Sequence, residues 1–111
     1  MKSSNSAEIF EMAPWKFYLS QNYPNPFKDK TTIKYCVAYN TRVQITVLSP
    51  EGEVITKLVD EEKKPGTYEI EFSAEGGSAS GGNAYSLSSG TYFYRMDAGE
   101  YSNLKKMNLE K

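Results

Sequence analysis

The sequence contains no histidine and only one cysteine, Cys36. Without histidine, the chain cannot form a Ser-His-Asp or Cys-His nucleophile system, because both use an imidazole as the base. Histidine-ligated zinc, copper and iron sites are excluded for the same reason. A single cysteine forms neither an internal disulfide nor a multi-cysteine metal site. These absences remove the commonest catalytic and metal-binding chemistries, and no cofactor or metal is predicted.

The chain also lacks a charge excess and a long apolar run. Its 13 basic and 14 acidic residues give a net charge of −1, whereas a nucleic-acid-binding domain normally carries a clear basic excess. No run approaches the roughly 20 apolar residues of a transmembrane helix. With 111 residues, 39% of them hydrophobic, the chain has the length and apolar content of one folded domain. One domain without a nucleic-acid partner is therefore predicted.

Apolar and polar residues alternate along several segments, which is the period of a β-strand with one buried face. The alternation is cleanest over residues 31–37, 42–47 and 67–72. Sequences typical of turns separate the strand-like segments, at 49–52, 64–66 and 97–100. Short strands at this spacing predict an all-β protein, an immunoglobulin-like antiparallel β-sandwich of about seven strands.

The inward-facing residues of these strands are predicted to form one core with the aromatic residues around them. The predicted core is Tyr23, Phe27, Ile33, Tyr35, Val43, Ile45, Val47, Tyr68, Ile70, Phe72, Tyr92, Tyr94 and Met107. Cys36 lies on the opposite face of its strand and is expected to be at least partly accessible or covered by a loop. The charged stretch from Asp60 to Pro65 is predicted to be a loop. The Gly/Ser-rich stretch from Ser73 to Ser89 is predicted to be a mobile loop.

Neighbouring acidic residues occur, but not in an arrangement that suits catalysis or calcium binding. Glu61 and Glu62 lie beside lysines, and Glu69 and Glu71 share the solvent face of a predicted strand. A glycosidase needs two carboxylates across a cleft, and calcium needs a loop with several oxygen ligands. We interpret these four residues as solvated surface charge.

The segment Asn22-Tyr23-Pro24-Asn25-Pro26-Phe27 is the most unusual in the chain. Its two prolines fix φ, extend the residues before them and cannot donate to a sheet ladder. We therefore predict a rigid elbow, with Tyr23 and Phe27 closing one end of the core. An exposed recognition peptide of the polyproline type is the alternative.

The last part of the chain carries a second cluster of aromatic and basic residues. Tyr92 and Tyr94 alternate with Phe93 and Arg95, which predicts a central strand with both tyrosines in the core. Arg95 is expected to be solvated or paired with a glutamate. The lysines that follow are typical of residues that guard a sheet edge: Lys105, Lys106 and Lys111.

Three stretches carry a family resemblance. They are Phe17-Tyr18-Leu19-Ser20-Gln21-Asn22-Tyr23-Pro24-Asn25-Pro26-Phe27 with Thr31-Thr32-Ile33-Lys34-Tyr35, then Ser88-Ser89-Gly90-Thr91-Tyr92-Phe93-Tyr94-Arg95-Met96, and finally Lys105-Lys106-Met107 with Leu109 and Lys111. The first resembles the opening of the type A C-terminal sorting domains of the type IX secretion system, found in the Bacteroidetes and related bacteria. The second is similar to the Ser-Gly-Val-Tyr-Phe-Tyr-Arg motif of that family, and the third resembles its ending. The resemblance runs from about Trp15 to Lys111.

The resemblance implies that residues 15–111 are a C-terminal sorting domain and that residues 1–14 are a flexible linker or lead-in. Such a domain is not an enzyme. It directs its cargo protein from the periplasm across the outer membrane, to the cell surface or the medium. The partners that it implies are the type IX translocon, the sortase that normally removes the domain, and an N-terminal cargo domain. The domain itself is expected to be a monomer.

The resemblance also implies which residues the translocon reads. Recognition is expected at Gly90, Tyr92, Arg95, Gly99, Lys105, Lys106 and Lys111. The lysines would then form a basic docking strip on the last strand. The residues of the proline motif are expected to be structural: Asn22, Tyr23, Pro24, Asn25, Pro26 and Phe27.

Two other functions fit an all-β module of a secreted multidomain protein. A carbohydrate-binding module is one, because Trp15 and exposed tyrosines could stack on sugar rings, although Trp15 beside Pro14 is more typical of packing at the rim of a core. A structural immunoglobulin-like module is the other. A structural spacer tolerates the loss of its last few residues, whereas a sorting signal does not.

Overall fold

The structure, a computed structural model, describes residues 16–76 and 85–111. These residues contain no helix, and hence none with the length and apolarity needed to cross a membrane. The all-β prediction is confirmed, but there are nine strands rather than seven. They are β1 (Tyr18–Leu19), β2 (Lys30–Val37), β3 (Thr41–Leu48), β4 (Val54–Lys63), β5 (Gly66–Ser73), β6 (Glu75–Gly76), β7 (Tyr85–Ser86), β8 (Gly90–Ala98) and β9 (Tyr101–Leu109).

The strands form three antiparallel sheets, in the orders β4-β3-β8-β9, β1-β2-β5 and β6-β7. In the four-stranded sheet, Ile45 of β3 lies opposite Met96 of β8. In the three-stranded sheet, Ile33 of β2 lies opposite Ile70 of β5. Apolar residues are thus paired with apolar residues, and this matching specifies the register wherever one face of a sheet is buried.

One cluster of buried side chains joins the two larger sheets. Ten of the residues predicted for the core are buried: Phe27, Ile33, Tyr35, Val43, Ile45, Val47, Phe72, Tyr92, Tyr94 and Met107. Tyr68 and Ile70 are half-buried and pack against this cluster. Buried residues outside the predicted list complete it: Leu19, Val37, Val59, Ala74, Met96, Ala98 and Leu109. The alternation already placed Val37 on the face of Ile33 and Tyr35.

Tyr23 is the one predicted core residue that the structure places on the surface, since 80% of it is exposed. The backbone of Tyr23 pairs with Thr32, through Tyr23 N to Thr32 O and Thr32 N to Tyr23 O, both at 2.9 Å. Cross-strand partners share a face of the sheet. Because Ile33 of β2 points into the core, its neighbour Thr32 points away from it, and Tyr23 follows Thr32 to the solvent side.

The charged residues after Val59 continue β4 to Lys63 instead of forming the predicted loop. Here β4 pairs with the start of β3, and Arg42 Nη2 lies 2.9 Å from Asp60 Oδ1. A hydrogen bond from Gln44 and, after it, the hydrogen bond and charge of Arg42 hold the pKa of the Asp60 carboxyl below its usual value. Cross-strand partners thus extend a strand whose own sequence is typical of a solvated loop.

The stretch predicted to be one mobile loop is ordered at both of its ends. Ala74 is fully buried, and its N–H donates to the carbonyl of Asp29 over 2.7 Å. The ring of Tyr85 stacks on that of Phe72, with centroids 6.2 Å apart. The short strands β6 and β7 pair between these anchors. The remaining part of the predicted loop, 77–84, lies outside the described residues.

Cys36 is a free, half-buried cysteine in β2. It lies on the outward face of the strand, where its Sγ is 3.6 Å from the hydroxyl oxygen of Thr67. The partial accessibility that the alternation predicts is therefore confirmed.

Stability should fall in alkaline solution because of the buried Tyr94. Burial raises the pKa of this tyrosine to about 12, and its hydroxyl donates to the carbonyl of Ser20 over 2.6 Å. A raised folded-state pKa means that the contribution is complete below the unfolded pKa of about 10 and is lost as the pH rises through 12. We expect urea titrations to give a free energy of unfolding that is about 3 kcal/mol lower above pH 12 than at pH 9.

The matched control for this titration is Tyr94→Phe, which keeps the ring and removes the ionising group. Burial also raises the pKa values of Tyr35 and Tyr85, so the variant should show a shallower pH dependence rather than none. Equal slopes in the two proteins would contradict the assignment to Tyr94.

The C-terminal hairpin and the proline elbow

The hairpin of β8 and β9 holds most of the residues expected to be recognised. Its pairs run from Gly90 opposite Leu109 to Ala98 opposite Tyr101. Only two residues, Gly99 and Glu100, connect the strands, so the turn is tighter than the predicted segment 97–100. Gly99 has a φ of 58°, and a Cβ there would lie 2.6 Å from the hydroxyl oxygen of Tyr39. The positive φ therefore favours glycine at this position, and any larger residue would also have to displace the exposed Tyr39 hydroxyl.

Two of the expected recognition residues lie at the start of the hairpin, one of them buried and the other exposed. Tyr92 is 6% exposed and donates its hydroxyl to the carbonyl of Ser88 over 2.7 Å. Gly90 begins β8 with a φ of 157°, and no other atom lies within 4 Å of the position that a Cβ would take. The side chain of Tyr92 is part of the core and of the start of the hairpin, not of the surface.

Arg95 and Lys106 lie on the outer face of the four-stranded sheet, the face turned away from the core. Arg95 is opposite Leu104, and Lys106 is opposite Phe93. Arg95 and Lys106 are thus diagonal neighbours across the hairpin, with roughly 7–8 Å between such positions. Arg95 Nε donates to the carboxylate of Asp97 over 2.8 Å. Its partner is this aspartate on its own strand, not a glutamate.

Apolar side chains surround these two cations. Val54 and Leu104 are 60% and 53% exposed, and Phe93 is half-buried. Leu48 lies opposite both Phe93 and Val54, which brings the row together across β4, β3 and β8. We call the surface of Val54, Phe93, Leu104, Arg95 and Lys106 the outer patch. The sequence analysis did not identify Leu104. Its alternation is out of phase with the buried Met107 and Leu109, and this was a signal that Leu104 lies on the outer face.

The other lysines point elsewhere. Lys105 precedes Lys106 on the same strand and therefore faces the opposite side, next to Tyr94, where it is half-buried. Lys111 follows the end of β9, and its Nζ lies 3.7 Å from a carboxylate oxygen of Glu75. The lysines therefore do not form one continuous strip, because a strand directs successive side chains to opposite faces.

The proline elbow, residues 21–27, lies against the edge of β9. Gln21 Nε2 donates to the carbonyl of Lys106 over 2.6 Å, and Asn25 Oδ1 accepts from the backbone N–H of Asn108 over 2.9 Å. Phe27 bonds with both of its backbone groups, accepting from Glu110 N at 2.8 Å and donating to Asn108 O at 3.0 Å. We call this set of bonds the clasp. It joins the first and the third of the stretches that resemble the family, and it covers one end of β9.

Asn22 holds the elbow in shape from inside. It is 2% exposed, and its Nδ2 donates to Thr31 Oγ1 at 2.9 Å and to Pro24 O at 3.1 Å. Its Oδ1 accepts from Gln21 Nε2 at 2.7 Å, and Thr31 Oγ1 donates to Pro24 O at 2.8 Å. A buried amide with partners on both of its polar atoms is a strong structural constraint. These contacts fit the structural role that is expected of Asn22 and Pro24.

The remaining edge of β9 is open within the described part of the chain. Residues of an edge strand alternate between bonding to the neighbour and directing their backbone groups outward. Asn108 directs its groups outward to the clasp, so Leu104 and Ser102 direct theirs the same way. No described strand pairs with β9 on this side. The open edge therefore lies beside the exposed Leu104 of the outer patch.

The described residues contain no group of three or more Cys, Asp or Glu side chains placed to hold a metal ion. Trp15, which the carbohydrate-binding alternative uses, lies outside the described residues, as does the predicted linker 1–14. The candidate site therefore consists of the outer patch, the open edge of β9 and the clasp.

Comparison with known families decides the identity of this domain. The sequence model of one protein family, the secretion system C-terminal sorting domain, matches residues 21–110 of the chain. The chain belongs to this family. The match begins at Gln21 and ends at Glu110, so it spans the clasp from one side to the other. No curated protein and no solved structure matches the chain significantly.

As a member of this family, the chain is a C-terminal sorting signal of the type IX secretion system. Sorting domains of this family are signals and not catalysts. The signal implies export across the outer membrane, to the cell surface or outside. The geometry of the hairpin can therefore be examined as that of a surface that another protein recognises.

Proposed function

We propose that the translocon recognises this sorting domain in its folded form, through the outer patch and the open edge of β9. The observation that carries the proposal is the position of Lys106. It is exposed, it lies beside Arg95 and Leu104, and its strand offers unpaired backbone groups on the same side of the hairpin. Side chains and backbone thus offer contacts to one partner from one surface.

The partner surface that fits has carboxylates and apolar side chains. Lys106 attracts negative charge, whereas the charge of Arg95 is shared with Asp97, and Leu104 and Val54 offer exposed apolar area. An extended segment of the partner could add to the open edge of β9 as a further strand. Two of the other expected recognition residues support this surface indirectly, since Gly99 closes the hairpin and Tyr92 anchors it to the core.

The rest of the route follows from the sorting role. An N-terminal cargo precedes the domain, the protein passes through the periplasm before export, and the sortase then removes the domain. Within this scheme the domain works as a monomer, with the two larger sheets as the layers of an immunoglobulin-like sandwich. The shared core of these two sheets supports the sandwich.

Charge reversal at Lys106 should impair export without unfolding the domain. The full chain is fused behind a fluorescent protein with a signal peptide, in a host with a type IX system. We expect Lys106→Glu to lower the exported fraction about tenfold, because it replaces an attraction by a repulsion of roughly 1.4 kcal/mol or more. The free energy of unfolding should stay within about 0.5 kcal/mol.

Two variants serve as controls for this experiment. Lys64→Glu reverses an exposed lysine at the turn between β4 and β5, away from the hairpin, and should export normally. Lys105→Glu reverses a lysine on the other face of β9. It therefore distinguishes recognition at the outer patch from recognition at the basic strip that the sequence predicts. Normal export of Lys106→Glu, or equal losses in Lys106→Glu and Lys64→Glu, would contradict recognition at the outer patch.

A further inference from the structure

A groove lies on the outward face of the three-stranded sheet, in a different sheet from the hairpin. Its volume is about 410 Å³, within the roughly 300–1,000 Å³ range of ligand sites. It is lined by Ser20, Gln21, Tyr23, Thr32, Lys34 and Glu69. Gln21 is the one residue that the groove shares with the clasp, and none of its lining residues belongs to the outer patch.

Tyr23 presents an aromatic ring to the groove from a fixed backbone. The residue is 80% exposed, yet its N–H and C=O are both bonded to Thr32 at 2.9 Å. The neighbouring Asn22 is buried and locked by its own hydrogen bonds. A ring held in this way loses little backbone freedom when a ligand covers it, so stacking on it costs little entropy.

The floor of the groove offers hydrogen-bond donors and acceptors side by side. Lys34 Nζ and a carboxylate oxygen of Glu69 are 3.6 Å apart, and both side chains are about 60% exposed. The hydroxyl of Ser20 accepts from Lys34 N at 2.9 Å, and the hydroxyl of Thr32 lies on the same face. Groups that both donate and accept, as hydroxyl groups do, match such a surface.

The same features disfavour other ligand classes. The one cation and the one anion of the groove balance, which favours a neutral ligand over a charged one. The backbone of β2 beneath the groove pairs with β5 on one side and bonds to Ser20 and Tyr23 on the other, so an added peptide strand finds no free groups on β2 there. A flat aromatic ring beside mixed hydroxyl, amide and ionic groups suits a sugar, whose C–H face stacks while its hydroxyl groups bond.

We propose that this groove binds a neutral oligosaccharide, with Tyr23 as the stacking residue and Lys34 and Glu69 as hydrogen-bonding residues. A second exposed tyrosine extends the site. Tyr18 is 54% exposed and pairs with Cys36, on the same face as Thr32. Cys36 lies four positions after Thr32 in β2, so the backbone positions of the two tyrosines lie roughly 13 Å apart along the strand. A chain of several sugar units spans that distance.

Affinity electrophoresis through gels that contain soluble neutral polysaccharides tests the proposal. Glucomannan, galactomannan, xyloglucan and dextran are used separately, and dissociation constants are then measured with hexasaccharides of the retarding polymer. We expect retardation in at least one gel, a loss of affinity of tenfold or more for Tyr23→Ala, and near-native affinity for Tyr23→Phe, which keeps the ring. Tyr39→Ala removes an exposed tyrosine elsewhere and should bind normally.

The outcomes separate this site from the sorting role. Retardation by none of the four polymers overturns the proposal, as does equal affinity of Tyr23→Ala and the unchanged protein at equal thermal midpoints. Binding of a pool of neutral hexapeptides in place of the sugars, lost with Tyr23→Ala, assigns the groove to a protein ligand and also overturns it. Export of Lys106→Glu tests the outer patch alone, so either proposal can fail without the other.

Discussion

Removal of residues 105–111 should unfold the domain, rather than only abolish its recognition by the translocon. Met107 and Leu109 are 0% and 1% exposed and belong to the core cluster. Truncating each such side chain to alanine costs about 2–5 kcal/mol, and the total stability of a domain is only about 5–15 kcal/mol. The deletion also removes part of the clasp. We expect the loss of the cooperative thermal transition and of the near-ultraviolet circular dichroism signal.

A shorter deletion provides the control. Removing Lys111 alone breaks one backbone hydrogen bond to the Ser89 hydroxyl and one exposed ion pair with Glu75. This should cost no more than about 1 kcal/mol. A cooperative transition in the longer deletion would contradict the assignment of β9 to the core. If the longer deletion unfolds, a failure of the truncated protein to be exported cannot distinguish a sorting signal from a structural spacer.

Phe27→Ala should be among the most destabilising substitutions in the chain, whereas Tyr23→Ala in the same motif should be nearly neutral. Phe27 is 1% exposed, and its ring lies edge-on to Phe72 with centroids 6.2 Å apart. Replacing a buried phenylalanine by alanine costs about 3–5 kcal/mol. Tyr23 is mostly in solvent, and surface substitutions usually stay within about 0.5 kcal/mol. Urea denaturation of the two variants measures the difference.

The comparison of these two aromatic residues also tests the interpretation of the motif. Tyr23 and Phe27 lie on either side of the same two prolines, so a general loss of elbow rigidity would affect both variants alike. Similar destabilisation by the two substitutions would show that the motif acts through its backbone and not through the packing of Phe27.

Sequence pattern predicted the parts of the fold that depend on local alternation. In β2 and β3, every second residue is apolar, and Ile33, Tyr35, Val43, Ile45 and Val47 are all buried as predicted. The period of two follows from the geometry of a strand, so it is visible wherever one face is buried. The burial of Phe27 and Tyr94 was also predictable, since large aromatic residues in a strand-rich chain dominate the core.

The errors lie where distant partners decide the structure. Residues 60–63 are charged and would be solvated alone, but β3 pairs with them and extends β4. Tyr23 follows Thr32 outward because of a backbone pairing across nine positions in the chain. The clasp joins Gln21 to Lys106 across 85 positions. Local pattern contains no information on such pairings, and this is why the outer patch and the groove were not predicted.

The clasp has a consequence for the order in which the protein is made. Synthesis proceeds from the N-terminus, so the elbow is complete long before β9 exists. The side-chain bonds between the elbow and β9 span 83 to 85 positions, and pairings at such separation form late because loop closure must come first. In a nascent chain, the bonds of the elbow to β2 can therefore form early, whereas its bonds to β9 must wait until β9 has been translated. A chain whose synthesis stops before β9 lacks both the open edge and the residues of β9 to which the elbow bonds.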